Sequence, residues 1–304
     1  MRIGINGGAA SAERMVEQVK RAEAAGYSSM WFPSAIGIDP LAVMAMGGAA
    51  TERIELGTSI LPTYPCHPNL MAHRALATSA AMGREGFTLG VGPSHHPVVE
   101  GMLGLSYERP GTHTEEYLQV LAPLLRGEAV EFRGEQYQVN VPARGEPKHR
   151  VPLLLAALGP RLLRVAGELA EGTILWMGTA RAVETHVSPR IRSAADAAGR
   201  SEPRIIAGLP VAVHDDVDEA RRTAGDMFAN YGMLPNYQRL LEHGGVSGPA
   251  EAAIVGDEAA VTAGIQGLFD AGATDVWAAI FPVGDDRSGS RARTRALLDS
   301  LVGS

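Results

Sequence analysis

Residues 1–32, MRIGINGGAASAERMVEQVKRAEAAGYSSMWF, set the architecture. Arg2 to Asn6 reads as a short buried strand. Ser11 to Ala25 has helical spacing, with Ser11 as N-cap, Glu13 in the first turn and Gly26 as the C-terminal stop. Ser29 to Phe32 is then a second strand, so the chain opens on a βαβ pattern that repeats every roughly 25 to 30 residues. Leu41 to Ala50 is the second helix, Ile54 to Ile60 the third strand, Leu70 to Met82 the third helix and Phe87 to Val91 the fourth strand. After Pro93 the rhythm breaks, through a helix at Thr114 to Leu125 and the segment EFRGEQYQV (131–139), whose Gly134 turns a hairpin. It resumes with a strand at Val151 to Ala156, a helix at Arg161 to Ala170, a strand at Thr173 to Trp176, a helix at Ala182 to Ala198 and a strand at Arg204 to Val213. A second irregular region, Met227 to Val255, precedes a helix at Glu258 to Ala271 and an eighth strand at Asp275 to Phe281. An internal echo supports this count: AGYSSMW (25–31) and AGATDVW (271–277) share helix end, glycine and strand start. The expected fold is a single-domain (β/α)8 TIM barrel over 1–304, with insertions after strand 4 (about 93–150) and after strand 7 (about 227–255). A doubly wound open sheet fits less well, because no GxGxxG follows strand one and Gly7-Gly8 is too short to cradle a pyrophosphate.

The bulk numbers agree with an α/β chain. Of 304 residues, 45% are hydrophobic and 20% charged, with 36 Gly and 19 Pro to make many short turns. A formal net charge of -7 and the lack of a Lys/Arg cluster argue against nucleic acid as a partner. The single cysteine, Cys66, excludes an intrachain disulfide and a CxxC motif, which suits a reducing cytoplasm. No long apolar span suggests a membrane segment.

Four strand tips carry the functional signal. Ile54 to Pro68, IELGTSILPTYPCHP, ends an apolar run in Gly57-Thr58-Ser59-Ile60 and then meets Pro62, Pro65 and Pro68, which stiffen the loop. FTLGVGPSHHP (87–97) breaks the same way at Gly90-Val91-Gly92-Pro93-Ser94-His95, where glycine lets a flat or polyol ligand approach the backbone. Ala156-Ala157-Leu158-Gly159-Pro160-Arg161 joins strand five to a helix whose N-terminus offers free N–H groups to an anion. Arg161 and Arg164 either add charge there or form a solvated helix face. Trp176-Met177-Gly178 ends strand six, with Trp176 either a barrel plug or a pocket wall. A zinc site is not expected, since His67, His95 and His96 lack HxxxH spacing and an accompanying carboxylate motif.

With this spacing, LGTSILPTYPCHP (56–68), FTLGVGPSHHP and LLLAALGPRLLRVAGELAEGTILWMG (153–178) resemble the luciferase-like oxidoreductases, specifically the branch that uses the deazaflavin F420. The resemblance covers nearly the whole chain. It implies a TIM barrel and a non-prolyl cis peptide at Ser59-Ile60, with the third-strand bulge (Thr58, Ser59, Ile60) backing the deazaflavin ring. It further implies cofactor contacts from Gly92, Pro93, Ser94 and His95, and a ribityl-phosphate turn at Ala156, Ala157, Leu158 and Gly159 continuing into Pro160 and Arg161. Trp176, Met177 and Gly178 become wall or phosphate-side contacts, and a homodimer is implied.

The chain departs from the F420 enzymes that place an Asp-His pair after strand two. Its corresponding tip reads Phe32-Pro33-Ser34-Ala35-Ile36-Gly37-Ile38-Asp39, which puts sugar-phosphate oxidation in doubt. Ser34 is left as a pocket hydrogen-bonding group, and Asp39 as the cap of the following helix. His95 becomes the candidate proton donor or acceptor, with His113 and Glu115 behind it. The expected activity is F420-dependent hydride transfer between the deazaflavin C5 and a small organic substrate. The alternatives are an FMN-dependent monooxygenase on the same fold and a non-catalytic F420-binding protein.

Overall fold

In the computed structural model, which describes residues 1–34 and 38–302, twelve strands are laid down in chain order. They are β1 (Ile3–Asn6), β2 (Ser29–Phe32), β3 (Glu55–Thr58), β4 (Leu61–Pro62), β5 (Phe87–Gly92), β6 (Val130–Arg133), β7 (Gln138–Val141), β8 (Leu153–Leu155), β9 (Gly172–Trp176), β10 (Arg204–Val213), β11 (Ile254–Gly256) and β12 (Asp275–Ile280). Eight of them, β1, β2, β3, β5, β8, β9, β10 and β12, pair in parallel and close when β10 bonds to both β9 and β12. This is the expected (β/α)8 barrel. Short β4 and β11 extend the ladder at its rim, beside the ends of β5 and β10. Strands buried on both faces read as nearly unbroken apolar runs, which is why Phe87–Gly92 is buried at every position.

The first βα unit shows how local sequence sets these elements. Ser11 accepts a hydrogen bond from the Arg14 amide to open the helix Ala12–Ala25, and Gly26, at φ 93°, closes it in the left-handed region. Asp39 caps the second helix, Pro40–Ala49, by accepting from the Leu41 amide. Between β5 and β8, the helix Pro110–Leu125 packs between the helices Pro68–Met82 and Pro160–Leu169 in the outer ring. Beside it β6 and β7 form an antiparallel hairpin. Buried Glu116 folds the hairpin loop against that helix by accepting from the amides of Glu135, Gln136 and Tyr137.

Side chains from alternate positions fill the barrel. Trp31, Leu154, Ile174, Ile206, Trp277 and Ala279 form its apolar layers, while a larger cluster lies between strands and helices. Trp31 and Trp277, the two tryptophans of the internal echo, fit because glycine faces each of them: a Cβ would fall 2.1 Å from the Trp31 ring at Gly57 and 2.0 Å from the Trp277 ring at Gly208. The N-terminal end is closed by charge. Glu55 accepts from Arg2, from Arg204 at 2.7 and 3.1 Å and from the Thr88 hydroxyl, and Asp275 bridges the same two arginines. Burial opposes ionisation of Asp275, yet the Arg204 pairing prevails and holds its carboxyl below the usual range. With that end sealed, the C-terminal mouth is the open one. No helix among the described residues is long and apolar enough to cross a membrane.

Candidate active site

A cavity of about 410 Å³ opens at the C-terminal ends of β3, β5, β8 and β9, the face where barrels of this kind carry their chemistry. Its first wall is the end of β3. The Ser59 amide still donates to the Phe32 carbonyl at 2.8 Å, the Ser59–Ile60 peptide bond is cis, and the chain re-enters the sheet as β4 against Val91 and Gly92. Ser59 and Ile60 line the cavity, and the Ser59 hydroxyl is buried without a hydrogen-bond partner among the described residues. Thr58 does not line it. Its hydroxyl donates to the Gly90 carbonyl at 2.7 Å and accepts from the Gly90 amide at 2.8 Å, pinning β3 to β5 beneath the bulge.

The second wall is the end of β5. Gly92 faces inward, and a Cβ there would lie 3.0 Å from the Ala156 Cβ and 3.3 Å from the Ile60 Cδ1, so glycine keeps this wall flat. Pro93, Ser94 and His95 continue it. Ser94 stands at φ 61°, with its carbonyl held by the Tyr107 hydroxyl at 2.9 Å. His95 is half-buried with its ring 5.7 Å from that of Tyr237, and burial pushes its pKa below the ordinary histidine value. Burial thereby favours the neutral imidazole, the form that can accept a proton.

The turn after β8 is the third wall. Ala156, Leu158, Gly159, Pro160 and Arg161 line the cavity, whereas Ala157 is fully buried beneath them with its amide on Thr173. Gly159 caps the helix Pro160–Leu169 without a side chain of its own, so first-turn amides face the cavity mouth. Arg161 and Arg164 both bond to Glu115, at 2.9 and 3.0 Å, and Arg164 also reaches Glu168 at 2.6 Å. Glu115, offered by the sequence as a donor, is thus the counter-ion of these arginines.

Trp176, Trp277 and Ile174 make the floor. The two indoles stack at 5.1 Å and 27°, and neither Nε1 has a hydrogen-bond partner among the described residues. Trp176 is pocket wall and barrel plug at once. Met177 and Gly178 are buried and face away: Met177, at φ 61°, donates its amide to Gly208, and Gly178 packs on Leu175. Ser34, two residues past β2, is exposed and outside the cavity, and Ala35 to Gly37 of the same tip lie outside the described residues. His113 is buried elsewhere, stacked on Tyr64 at 3.8 Å and bonded to Thr63 at 2.9 Å; burial drives its pKa to about 4.

The roof comes from the two irregular segments, and no motif singled out its residues. Tyr107, Pro110 and Gly111 come from the segment after β5, and Asn236, Tyr237, Arg239 and His243 from the helix Pro235–His243. His243 stacks on His186 at 3.8 Å and 13°. His186 donates Nε2–H to the Leu158 carbonyl at 2.8 Å, which leaves Nδ1 a bare acceptor, buried and unpartnered. Burial lowers the His186 pKa and keeps that form neutral. His186 belongs to a π-helical turn, Val183–Val187, inside the stretch expected as one plain helix.

Comparison with known proteins places this geometry. The luciferase-like monooxygenase family matches residues 2–301. The F420-dependent glucose-6-phosphate dehydrogenase of Nakamurella multipartita is 31% identical over 69% of this chain, and the chain spans 62% of that relative's length. The 5,10-methylenetetrahydromethanopterin reductase of Methanolobus tindarius is 25% identical over 94% of this chain and 87% of its own. Among solved structures, the coenzyme F420 dependent tetrahydromethanopterin reductase from Methanopyrus kandleri superposes with a TM-score of 0.78 at 21% identity, covering 98% of this chain and 97% of that one, which shows a shared fold.

Proposed function

The chain belongs to the luciferase-like monooxygenase family, and from that membership we propose that it is an F420-dependent oxidoreductase acting on a small organic substrate. The observation that carries this reading is the continuous flat wall made by Ser59, Ile60, Gly92 and Ala156 at neighbouring strand tips. It fits a planar ring laid with one face against it, and the Ser59 hydroxyl, unpartnered among the described residues, supplies a polar contact for such a ring. The turn Ala156–Arg161 and the helix behind it suit the phosphate arm. When bound, the deazaflavin supplies hydride chemistry at C5. The protein's own work is positioning, exclusion of water and handling of one proton.

In this reading the indole pair Trp176 and Trp277 faces the substrate and His95 takes its proton. The domain is a single barrel, with segments 93–150 and 227–255 supplying the roof that selects the substrate. A homodimer in a reducing cytoplasm is the setting, and light scattering on the purified protein checks the dimer. The two relatives are a glucose-6-phosphate dehydrogenase and a methylenetetrahydromethanopterin reductase. The absence of an Asp-His pair after β2 sets this chain apart from the acid-base arrangement expected for the sugar-phosphate reaction.

Fluorescence titration with F420 and with FMN, each alone, tests the cofactor assignment. Saturable F420 binding at micromolar or lower concentration, without FMN binding, is expected. Tight FMN with no F420 binding would move the protein to the FMN-dependent monooxygenases of the same fold. Binding of F420 with no turnover across alcohols, enones and imines would instead make it a cofactor-binding protein.

A further inference from the structure

We infer that Arg239, on the helix that roofs the cavity, binds the phosphate of the cofactor's polyol arm and makes that helix a clasp over the turn Ala156–Arg161; the inference rests on the F420 reading above. The turn follows β8, which lies between β5 and β9 in the sheet. The roof helix Pro235–His243 spans the same interval. Near its start Tyr237 meets His95, just after β5. At its end His243 stacks on His186, which is bonded to Leu158 of the turn itself. Arg239 lies between these two anchor points and lines the cavity.

Charge singles out Arg239 from the other cations. Among the described residues, no Asp or Glu lines this cavity. Arg161 and Arg164, the obvious anion ligands by position, face the two carboxylates of Glu115 and Glu168 and contribute little net charge. Arg239 has a neutral partner, donating to the Asn236 amide oxygen at 2.5 Å, and no ion pair is recorded for it among the described residues. A guanidinium without a counter-ion among the described residues, lining the same cavity as the uncapped first turn of the helix Pro160–Leu169, is an anion site in two halves: the amides fix the oxygens and the arginine supplies the charge.

The neighbouring polar group matches the rest of the arm. His186 is 1% exposed, and its Nδ1 is an acceptor with no hydrogen-bond partner among the described residues. An acceptor next to an anion site suits an O–H donor, as on a hydroxylated chain ending in phosphate. The stack on His243 makes the same residue a link between turn and roof, so occupancy of the turn and seating of the helix favour each other.

The test compares two ligands on intact protein: F420, and the ribityl deazaflavin that lacks the phosphate. Arg239→Gln should weaken F420 at least tenfold, with a loss that shrinks as salt rises, and leave the phosphate-free compound within twofold. Arg239→Lys should recover part of the loss. Equal weakening of both ligands would show that Arg239 only seats the roof, and unchanged F420 binding would place the phosphate elsewhere; either result overturns the inference. Wild-type protein that binds neither deazaflavin removes the F420 reading and this inference together, an outcome distinct from the other two.

Discussion

Replacing Gly92 with valine perturbs the flat wall at its tightest point. A first Cβ would sit 3.0 Å from the Ala156 Cβ and 3.3 and 3.4 Å from two carbons of Ile60. Those neighbours must yield by a few tenths of an ångström even for alanine, and the two further methyls of valine must project into the cavity or into Ile60. Extra methyl groups in a packed site cost about 1–3 kcal/mol. In the free protein the open cavity relieves much of that, since Ile60 borders empty space and can turn away. With a ring against the wall the relief is gone, so most of the cost falls on the bound state. The expected result is F420 affinity reduced by a factor of about 5 to 150, with the thermal midpoint lowered by a few degrees at most. Titration by fluorescence, alongside thermal unfolding of the same preparations, reads both numbers. Wild-type affinity in a folded Gly92→Val protein would refute the placement of the ring.

Three further outcomes follow from other parts of the molecule. Glu55→Gln removes the carboxylate that faces Arg2, Arg204 and Thr88 while Asp275 still bridges both arginines, so chemical denaturation should show a loss on the order of 3 kcal/mol; a loss under 1 would mean the network does not stabilise the barrel end. His113, held near pKa 4 by burial against about 6.5 unfolded, binds its proton more readily when unfolded, so its contribution is complete above pH 6.5 and drains away as pH falls to 4. The stability gap between wild type and His113→Gln should therefore shrink by about 3 kcal/mol across that range, and a constant gap contradicts the burial argument. For His95, whose pKa lies below the ordinary value, kcat/KM for alcohol oxidation should be level above pH 6.5 and decline at lower pH; the same decline in His95→Asn would remove it from proton transfer.

Most of the barrel was readable because its strands alternate with helices at a steady period and each change is marked by a cap or a glycine, as at Ser11 and Gly26. The site was readable only in part, and strand geometry explains where reading stopped. Side chains alternate across a strand, so successive strand residues point to opposite faces and an unbroken run overstates which of them turn their side chains into the cavity. Gly57 faces the barrel interior, hence Thr58 points out and serves as a brace; Ala156 and Trp176 face in, and Ala157 and Met177 do not. Trp277 had a signal, since it occupies the position of Trp31 in the repeated AGxxxxW segment, but that echo suggested strand count and not pocket floor. His186 and Arg239 carried none. They reach the cavity from helices whose approach to the mouth depends on long-range packing, and one of them sits in a π-turn that helical spacing does not reveal.

The most direct test of the account is a crystal structure of the protein with F420 bound. It should show the deazaflavin ring against Ser59, Ile60 and Gly92, the phosphate at the turn Ala156–Arg161 and the opposite ring face open toward Trp176 and Trp277. A ring bound on another wall of the cavity, or a phosphate far from that turn, would contradict it.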